Sequence, residues 1–207
     1  MLFRSNTQLE TLVLDAMRLA ERAHRTREQG PHHRKAPDGE DRPAYFIHLA
    51  EVAWMLQDAG LDSETVAAGF LHDIIEDCDY SQAQLAQDIG NNQVAEIVKW
   101  VSEDKLDPKT GEKLSWEVRN KGYIERLQTA ADNVRALSCA DKTSNMRDMN
   151  RLLAKGHSTS AFTKQNHATQ LKKFESLYSR IFEEHVPEKL AARYQAALFE
   201  FRGYATQ

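Results

Sequence analysis

Residues 61–77 read LDSETVAAGFLHDIIED, and the spacing of apolar and acidic positions in this stretch decides the fold. Projected as a helix at about 100° per residue, Val66, Ala67, Phe70, Leu71, Ile74 and Ile75 fall on one side. His72, Asp73, Glu76 and Asp77 fall together on the other. His72 and Glu76 are four apart, as are Asp73 and Asp77, so each pair stacks on neighbouring turns. Gly69 lies on the polar face one turn earlier and leaves room for something to approach. Asp62 or Ser63 caps the helix start. Three carboxylates near a helix C-terminus oppose its dipole and one another, a penalty that a nearby cation removes. Taken alone, a solvated polar face accounts for the same pattern, so the surrounding sequence has to decide.

Working outward, helical periodicity continues almost everywhere. It predicts helices near 7–27, 46–59, 63–77, 81–89, 91–102, 115–130, 132–149, 160–184 and 187–202. Alternation of β-branched residues over a strand length is absent, as are repeats and low-complexity tracts. The expectation is an all-α, single-domain helical bundle spanning 1–207. Two segments break the pattern. Residues 28–44, EQGPHHRKAPDGEDRPA, carry three prolines and two glycines, and residues 103–115, EDKLDPKTGEKLS, are punctuated by Pro108 and Gly111. Loops of the first kind inside a compact domain are often functional.

Composition narrows the function classes. The 207 residues are 41% hydrophobic and 28% charged, with a net charge of −4, ordinary for a water-soluble globular chain. That balance argues against coating nucleic acid by bulk charge, and the basic residues form a loop cluster with no recognition helix. No nucleic-acid partner is expected. The two cysteines, Cys78 and Cys139, offer neither a disulfide framework nor a CxxC metal site and suit a reducing compartment. The N-terminal MLFRSNTQLE lacks the apolar core of a signal peptide, and no stretch approaches the roughly 18 apolar residues of a membrane span. A cytoplasmic location without membrane contact is expected.

Two more segments carry chemistry. In YFIHLAEVAWML, residues 45–56, His48 sits inside the apolar stripe of Tyr45, Leu49, Val52, Ala53 and Leu56. By itself it reads as a hydrogen-bonded core histidine. In NVRALSCADKTSNMRDM, residues 133–149, Asp141 shares a face with Val134 and Leu137, which Asn145 and Asp148 continue. An ionised aspartate in line with core positions is costly unless paired or bound to metal, and by itself Asp141 reads equally as a cap at a helix break or the partner of a buried Lys or Arg. Together the three segments supply two imidazoles and two carboxylates. Mixed nitrogen and oxygen donors suit Mn²⁺, Fe²⁺ or Zn²⁺ better than the all-oxygen shells of Ca²⁺ or Mg²⁺.

The pattern H…HD…D resembles the signature of the HD superfamily of phosphohydrolases. The stretches RK at 34–35, YFIH at 45–48, LDSETVAAGFLHDIIED and CADKTSNMRDM are similar to the hydrolase domain of RelA/SpoT-type stringent-response enzymes and the small alarmone hydrolases. The resemblance runs from about residue 9 to 151, with the helices near 160–202 beyond it. It implies that His48, His72, Asp73 and Asp141 hold one divalent metal, Mn²⁺ first among the candidates. It implies that Glu76 and Asp77 position and activate the attacking water. Arg34 and Lys35, with Lys142 and Asn145, match positions that contact the nucleotide. The implied reaction is release of pyrophosphate from the 3′ position of a guanosine bis(diphosphate) alarmone. The alternatives carried beside it are an HD-type nucleotidase or phosphatase for another nucleotide, and a nucleotide-binding regulatory module without turnover.

The chain also departs from the family pattern. Leu49 replaces the proline that usually follows the first histidine. Beyond residue 150, FTKQNHATQLKKF offers Phe162 and Lys164, Asn166 or His167 where relatives carry an aromatic, an arginine and a tyrosine. The segment 103–119 is longer than in compact alarmone hydrolases. Between residues 22 and 35, Arg22, Arg25, Arg27, Arg34, Lys35, His24, His32 and His33 face Glu28 alone, in a loop that leads into the His48 helix. His24, His157, His167 and His185 lack ligand spacing and are expected to be surface or structural residues. Trp54, Trp100 and Trp116 are expected at the core or an interface, Cys139 is expected to be buried, and the oligomeric state is open.

Overall fold

The computed structural model describes residues 6–204, so part of the N-terminal stretch tested for a signal peptide lies outside them. Eleven α-helices follow one another in these residues: α1 Asn6–Arg25, α2 Phe46–Asp58, α3 Ser63–Leu71, α4 Ile74–Asp77, α5 Gln82–Ile89, α6 Asn92–Val101, α7 Trp116–Thr129, α8 Asp132–Leu153, α9 His167–Leu177, α10 Glu183–His185 and α11 Glu188–Gly203. A 3₁₀ turn at Thr159–Ala161 precedes α9, and a π turn at Tyr178–Phe182 joins α9 to α10. The architecture is all-α, as the periodicity predicts. Helix α3 lies at the centre, packed on α1, α2 and α6, while α8 packs across α2 and α11. No described helix is long and apolar enough to cross a membrane.

The helix starts follow local chemistry. Asp62, Ser81, Asn91, Ser115 and Asn166 each cap a helix by accepting backbone N–H bonds from the first turn. The Asn166 cap explains why α9 begins at His167 and not near residue 160. Between the two, the chain makes the 3₁₀ turn, and Thr163 bonds the Thr159 and Gln165 carbonyls. Helix α8 runs four residues further than its sequence pattern suggests, to Leu153. Its last turns bury Asn150 and Leu152, and the Asn150 amide donates to the Ala197 carbonyl of α11.

The helix predicted for 63–77 is broken at His72–Asp73. Asp73 has φ −99° and ψ 0°, and His72 Nδ1–H donates to the Gly69 carbonyl at 2.8 Å. In a continuous helix the Asp73 amide would use that oxygen. The break turns His72 and Asp73 toward α2 and α8. Gly69 also has a different task from the one its position suggested. A Cβ there would stand 2.8 Å from Leu56 Cδ1 and 3.1 Å from Ala53 Cα, so the missing side chain lets α2 approach α3.

One continuous core holds these helices. Leu49, Met55, Leu56, Leu71, Ile74 and Leu137 are buried with Tyr123, Phe174, Phe182, Tyr194 and Phe201. Burying each such side chain contributes roughly 1.5–3 kcal/mol. The same core joins α9 and α11 to α8. The 28–44 loop is ordered by its own bonds. His33 bridges Ala44, Arg34 N–H donates to the Pro43 carbonyl and Tyr45 N–H to His32. At its tip Glu40 accepts from Lys155 and His157 beyond the end of α8.

Candidate metal centre and its cleft

Helices α2, α3 and α8 converge on one point. His48 Nε2 stands 3.2 Å from His72 Nε2, and Asp73 Oδ2 lies 3.6 and 3.1 Å from those two nitrogens. Asp141 Oδ1 completes the group at 3.4 and 3.7 Å. His48, His72 and Asp141 are buried and Asp73 is partly buried. The donor atoms of His48, His72 and Asp73 all fall within 4.8 Å of one another, close enough to share one ion.

The surrounding hydrogen bonds fix the proton on each imidazole. Ser144 donates its hydroxyl to Glu51 Oε2 at 2.6 Å, so its oxygen accepts from His48 Nδ1–H at 2.8 Å. Glu51 is held in turn by Arg147 at 2.8 Å. His72 Nδ1 faces the Gly69 carbonyl, which can only accept. In its neutral form each imidazole therefore presents its Nε2 lone pair to the same small space, together with two carboxylate oxygens. Four acceptors with no donor among them repel unless a cation or a proton sits between them. Burial opposes charge on His72, yet Asp73 and Asp141 outweigh it and hold its pKa well above the usual imidazole range. Both carboxylates stay well below their usual range despite burial, Asp73 through His72 and His48, Asp141 through Lys142 and the same imidazoles. The donor set fits a divalent ion.

Acidic and basic groups ring this point. Tyr45 donates its hydroxyl to Asp73 Oδ2 at 2.5 Å. Lys142 donates to Asp141 Oδ2 at 2.6 Å and lies over the Tyr123 ring. Asn145 donates to Asp141 Oδ1 and accepts from Arg34 Nη2 at 2.9 Å, and Arg34 Nε reaches Asp148 at 3.1 Å. Glu76 Oε1 accepts from the Glu103 backbone at 2.8 Å. Lys105 stands 3.5 Å from Glu76 Oε2 and 3.6 Å from Asp77 Oδ1. Burial, then the neighbouring Asp73 charge, pushes the Glu76 pKa up to about 7 and raises that of Asp77 as well.

Beside the centre opens a cleft of about 470 Å³, lined by Arg27, His32, His33, Arg34, Lys35, Tyr45, Asp77, Asn145, Asp148, Met149 and residues 162–164. Of the positions proposed from sequence, Arg34, Lys35, Asn145 and Asp77 line it. Lys142 does not: it stands on the far side of Asp141, where burial and Lys142 itself lower the pKa of Lys173 to about 8. Several neighbours of the centre do not stand out in the sequence. Tyr45 belongs to the apolar stripe of its segment, although its spacing of three from His48 puts both on one helix face. Lys105 had no signal, because a loop brings it to Glu76. His24, expected to be surface or structural, is buried against the site, its Nδ1 3.0 Å from His32 Nδ1, and His32 stacks on Tyr45 at 3.7 Å. Trp54, expected in the core or an interface, is 55% exposed, with Arg193 over its ring.

An all-helical fold with paired histidines and aspartates at a helix junction defines a class, and comparison with known proteins gives it a family. Residues 16–169 match the HD domain model, and the chain belongs to the HD domain family. The chain is 37% identical over 123 residues to the Vibrio cholerae guanosine-3′,5′-bis(diphosphate) 3′-pyrophosphohydrolase, a match covering 58% of the chain and 17% of that relative. The chain thus spans under a fifth of the length of that bacterial relative. It is 30% identical over 155 residues to the Danio rerio enzyme of the same description, covering 74% of the chain and 77% of the relative. A solved metazoan ortholog of SpoT, described as hydrolysing ppGpp, superposes with a TM-score of 0.70 at 20% identity, over 99% of both chains. At that identity the likeness concerns the fold.

Proposed function

We propose that the protein hydrolyses guanosine 3′,5′-bis(diphosphate) at its 3′ position, releasing pyrophosphate, with one divalent metal held by His48, His72, Asp73 and Asp141. The convergence of two fixed imidazole lone pairs and two carboxylates beside a cationic cleft carries this reading, and the relatives' activity supports the substrate. The mixed donor set suits Mn²⁺, Fe²⁺ or Zn²⁺, and the resemblance to the alarmone hydrolases puts Mn²⁺ first among them. When bound, such an ion lowers the pKa of water and polarises a phosphoryl oxygen.

The chain's own residues supply the rest. Glu76 is oriented by the Glu103 N–H and Lys105, and a carboxyl with a pKa near 7 suits a general base at neutral pH. With Asp77 it takes a proton from the attacking water. The new bond joins the water oxygen to the phosphorus attached to the 3′ oxygen. The bond between that phosphorus and the 3′ oxygen breaks, and a proton regenerates the 3′ hydroxyl. Arg34 and Lys35 meet phosphate charge, Asn145 links Arg34 to Asp141, and Lys142 holds the second oxygen of Asp141. The test is pyrophosphate release from this nucleotide with Mn²⁺ by the purified protein, beside other nucleotides and an Asp73→Ala control. Metal-dependent release that is lost in the variant supports the reading. Turnover of a different nucleotide alone would move the substrate and leave the metal centre in place.

A further inference from the structure

The cations of the cleft differ in how their charge is used. Arg34 is held by Asp148 and Asn145. Burial, then the nearby Arg27 charge, depresses the His32 pKa to about 3, so this imidazole is neutral at pH 7. Arg27, Lys35 and Lys164 make no hydrogen bond or ion pair through their side chains among the described residues, and Arg27 Nε is buried without a partner. A buried unpaired donor on a charged group is unfavourable and calls for an explanation.

Arg27 is not a loose surface arginine. The Gly30 N–H donates to the Arg27 carbonyl at 2.9 Å, with Gly30 at φ 86°, and the His32 N–H returns to the His24 carbonyl. These bonds fold the loop back and set the guanidinium in the cleft wall beside His32 and Asp77. Asp77 does not pair with it. That carboxylate is instead 3.6 Å from Lys105 and 3.9 Å from His32. Four cations, Arg27, Arg34, Lys35 and Lys164, therefore line the cleft against two carboxylates, Asp77 and Asp148. The space is of the size that holds a nucleotide. A planar guanidinium with free N–H groups matches a phosphate in a two-pronged geometry.

We propose that Arg27 is a specificity-determining residue that binds a second phosphate group of the substrate in the cleft, so that the enzyme selects nucleotides phosphorylated at two positions. This rests on the alarmone-hydrolase reading and names the residue that recognises the phosphates remote from the reacting bond. Lys35 and Lys164 add charge to the same cleft.

The experiment uses the full-length, Mn²⁺-loaded protein and two nucleotides: guanosine 3′,5′-bis(diphosphate), and guanosine 3′-diphosphate with a free 5′ hydroxyl. Steady-state kinetics give KM and kcat, and calorimetry gives Kd, for wild type, Arg27→Gln and Arg27→Lys. Losing a charge-assisted hydrogen bond is expected to raise KM and Kd for the doubly phosphorylated nucleotide about tenfold or more. The singly phosphorylated one should shift far less, and lysine should restore part of the difference. Equal shifts for both nucleotides, or a loss confined to kcat, overturn the proposal. If wild type turns over neither nucleotide, the alarmone reading fails, and the two Kd values still decide the role of Arg27. Absence of binding by either nucleotide overturns that role too. An unchanged melting temperature in Arg27→Gln separates recognition from a fold defect.

Discussion

The helical wall of the site, made by α2, α3 and α8, and the loop wall, made by residues 26–45 and 159–166, meet at Tyr45 and treat polar groups in opposite ways. On the helical wall each imidazole has a second partner: His48 bonds Ser144, Ser144 bonds Glu51, and His72 bonds the Gly69 carbonyl. On the loop wall Arg34 is paired, but Arg27, Lys35 and Lys164 are unpaired among the described residues. The first wall is preorganised for a small ion, whose ligand atoms must sit within tenths of an ångström. On the proposed reading the second keeps charge in reserve for a larger, flexible anion.

The contrast breaks most severely if the helical wall loses a carboxylate. Asp73→Ala is expected to lower metal-dependent turnover by about 10³-fold or more and to empty the site, read by metal analysis of the purified variant. A variant that keeps both metal and rate would remove Asp73 from the ligand set.

Glu76→Gln comes next, with kcat falling about 10²- to 10⁴-fold. The same change sharpens the comparison through stability. The folded Glu76 pKa, about 7, lies above the 4.5 of an unfolded carboxyl, so the native state binds this proton more tightly. Stability is therefore lost as pH rises from 4.5 to about 7. In metal-free protein the glutamine variant should be more stable than wild type at pH 8, by at most about 3 kcal/mol, and close to it at pH 4. Thermal melts at the two pH values check the sign; equal melting at both would mean that burial exerts no such pressure on Glu76.

Ser144→Ala removes the acceptor for His48 Nδ1 without touching a ligand atom. Metal affinity should fall about 10- to 100-fold, measured by competition with a chelator. Unchanged affinity would show that the imidazole keeps its orientation without that bond. Gly69→Ala places a methyl group against Leu56 and Ala53 and should destabilise the fold by about 1–3 kcal/mol in denaturant titrations. The smallest effect belongs to the loop wall: Lys164→Ala should raise KM about two- to fivefold, an effect that fades as salt is added. A large, salt-insensitive loss would mean that Lys164 is as firmly committed as the helical residues.

The pattern in residues 61–77 made a helical fold legible because burial of Val66, Ala67, Phe70 and Leu71 repeats every turn, and such repetition is a local property of the chain. His48 and Asp141 stood out because each shares a face with core positions, His72 and Asp73 because they lie on the acidic face opposite one, and the family resemblance joined the four into one ligand set. Sequence did not determine the break after Leu71, the approach of α2 to Gly69, or the hydrogen bond from Tyr45 to Asp73. Nor did it place Lys105 at Glu76, or separate the paired Arg34 from the unpaired Arg27. Helical periodicity depends on neighbours three and four residues away. Which proton an imidazole keeps and which cation finds a partner depend on groups far apart in the chain, 114 residues in the case of Arg34 and Asp148, and only the packed structure brings those together.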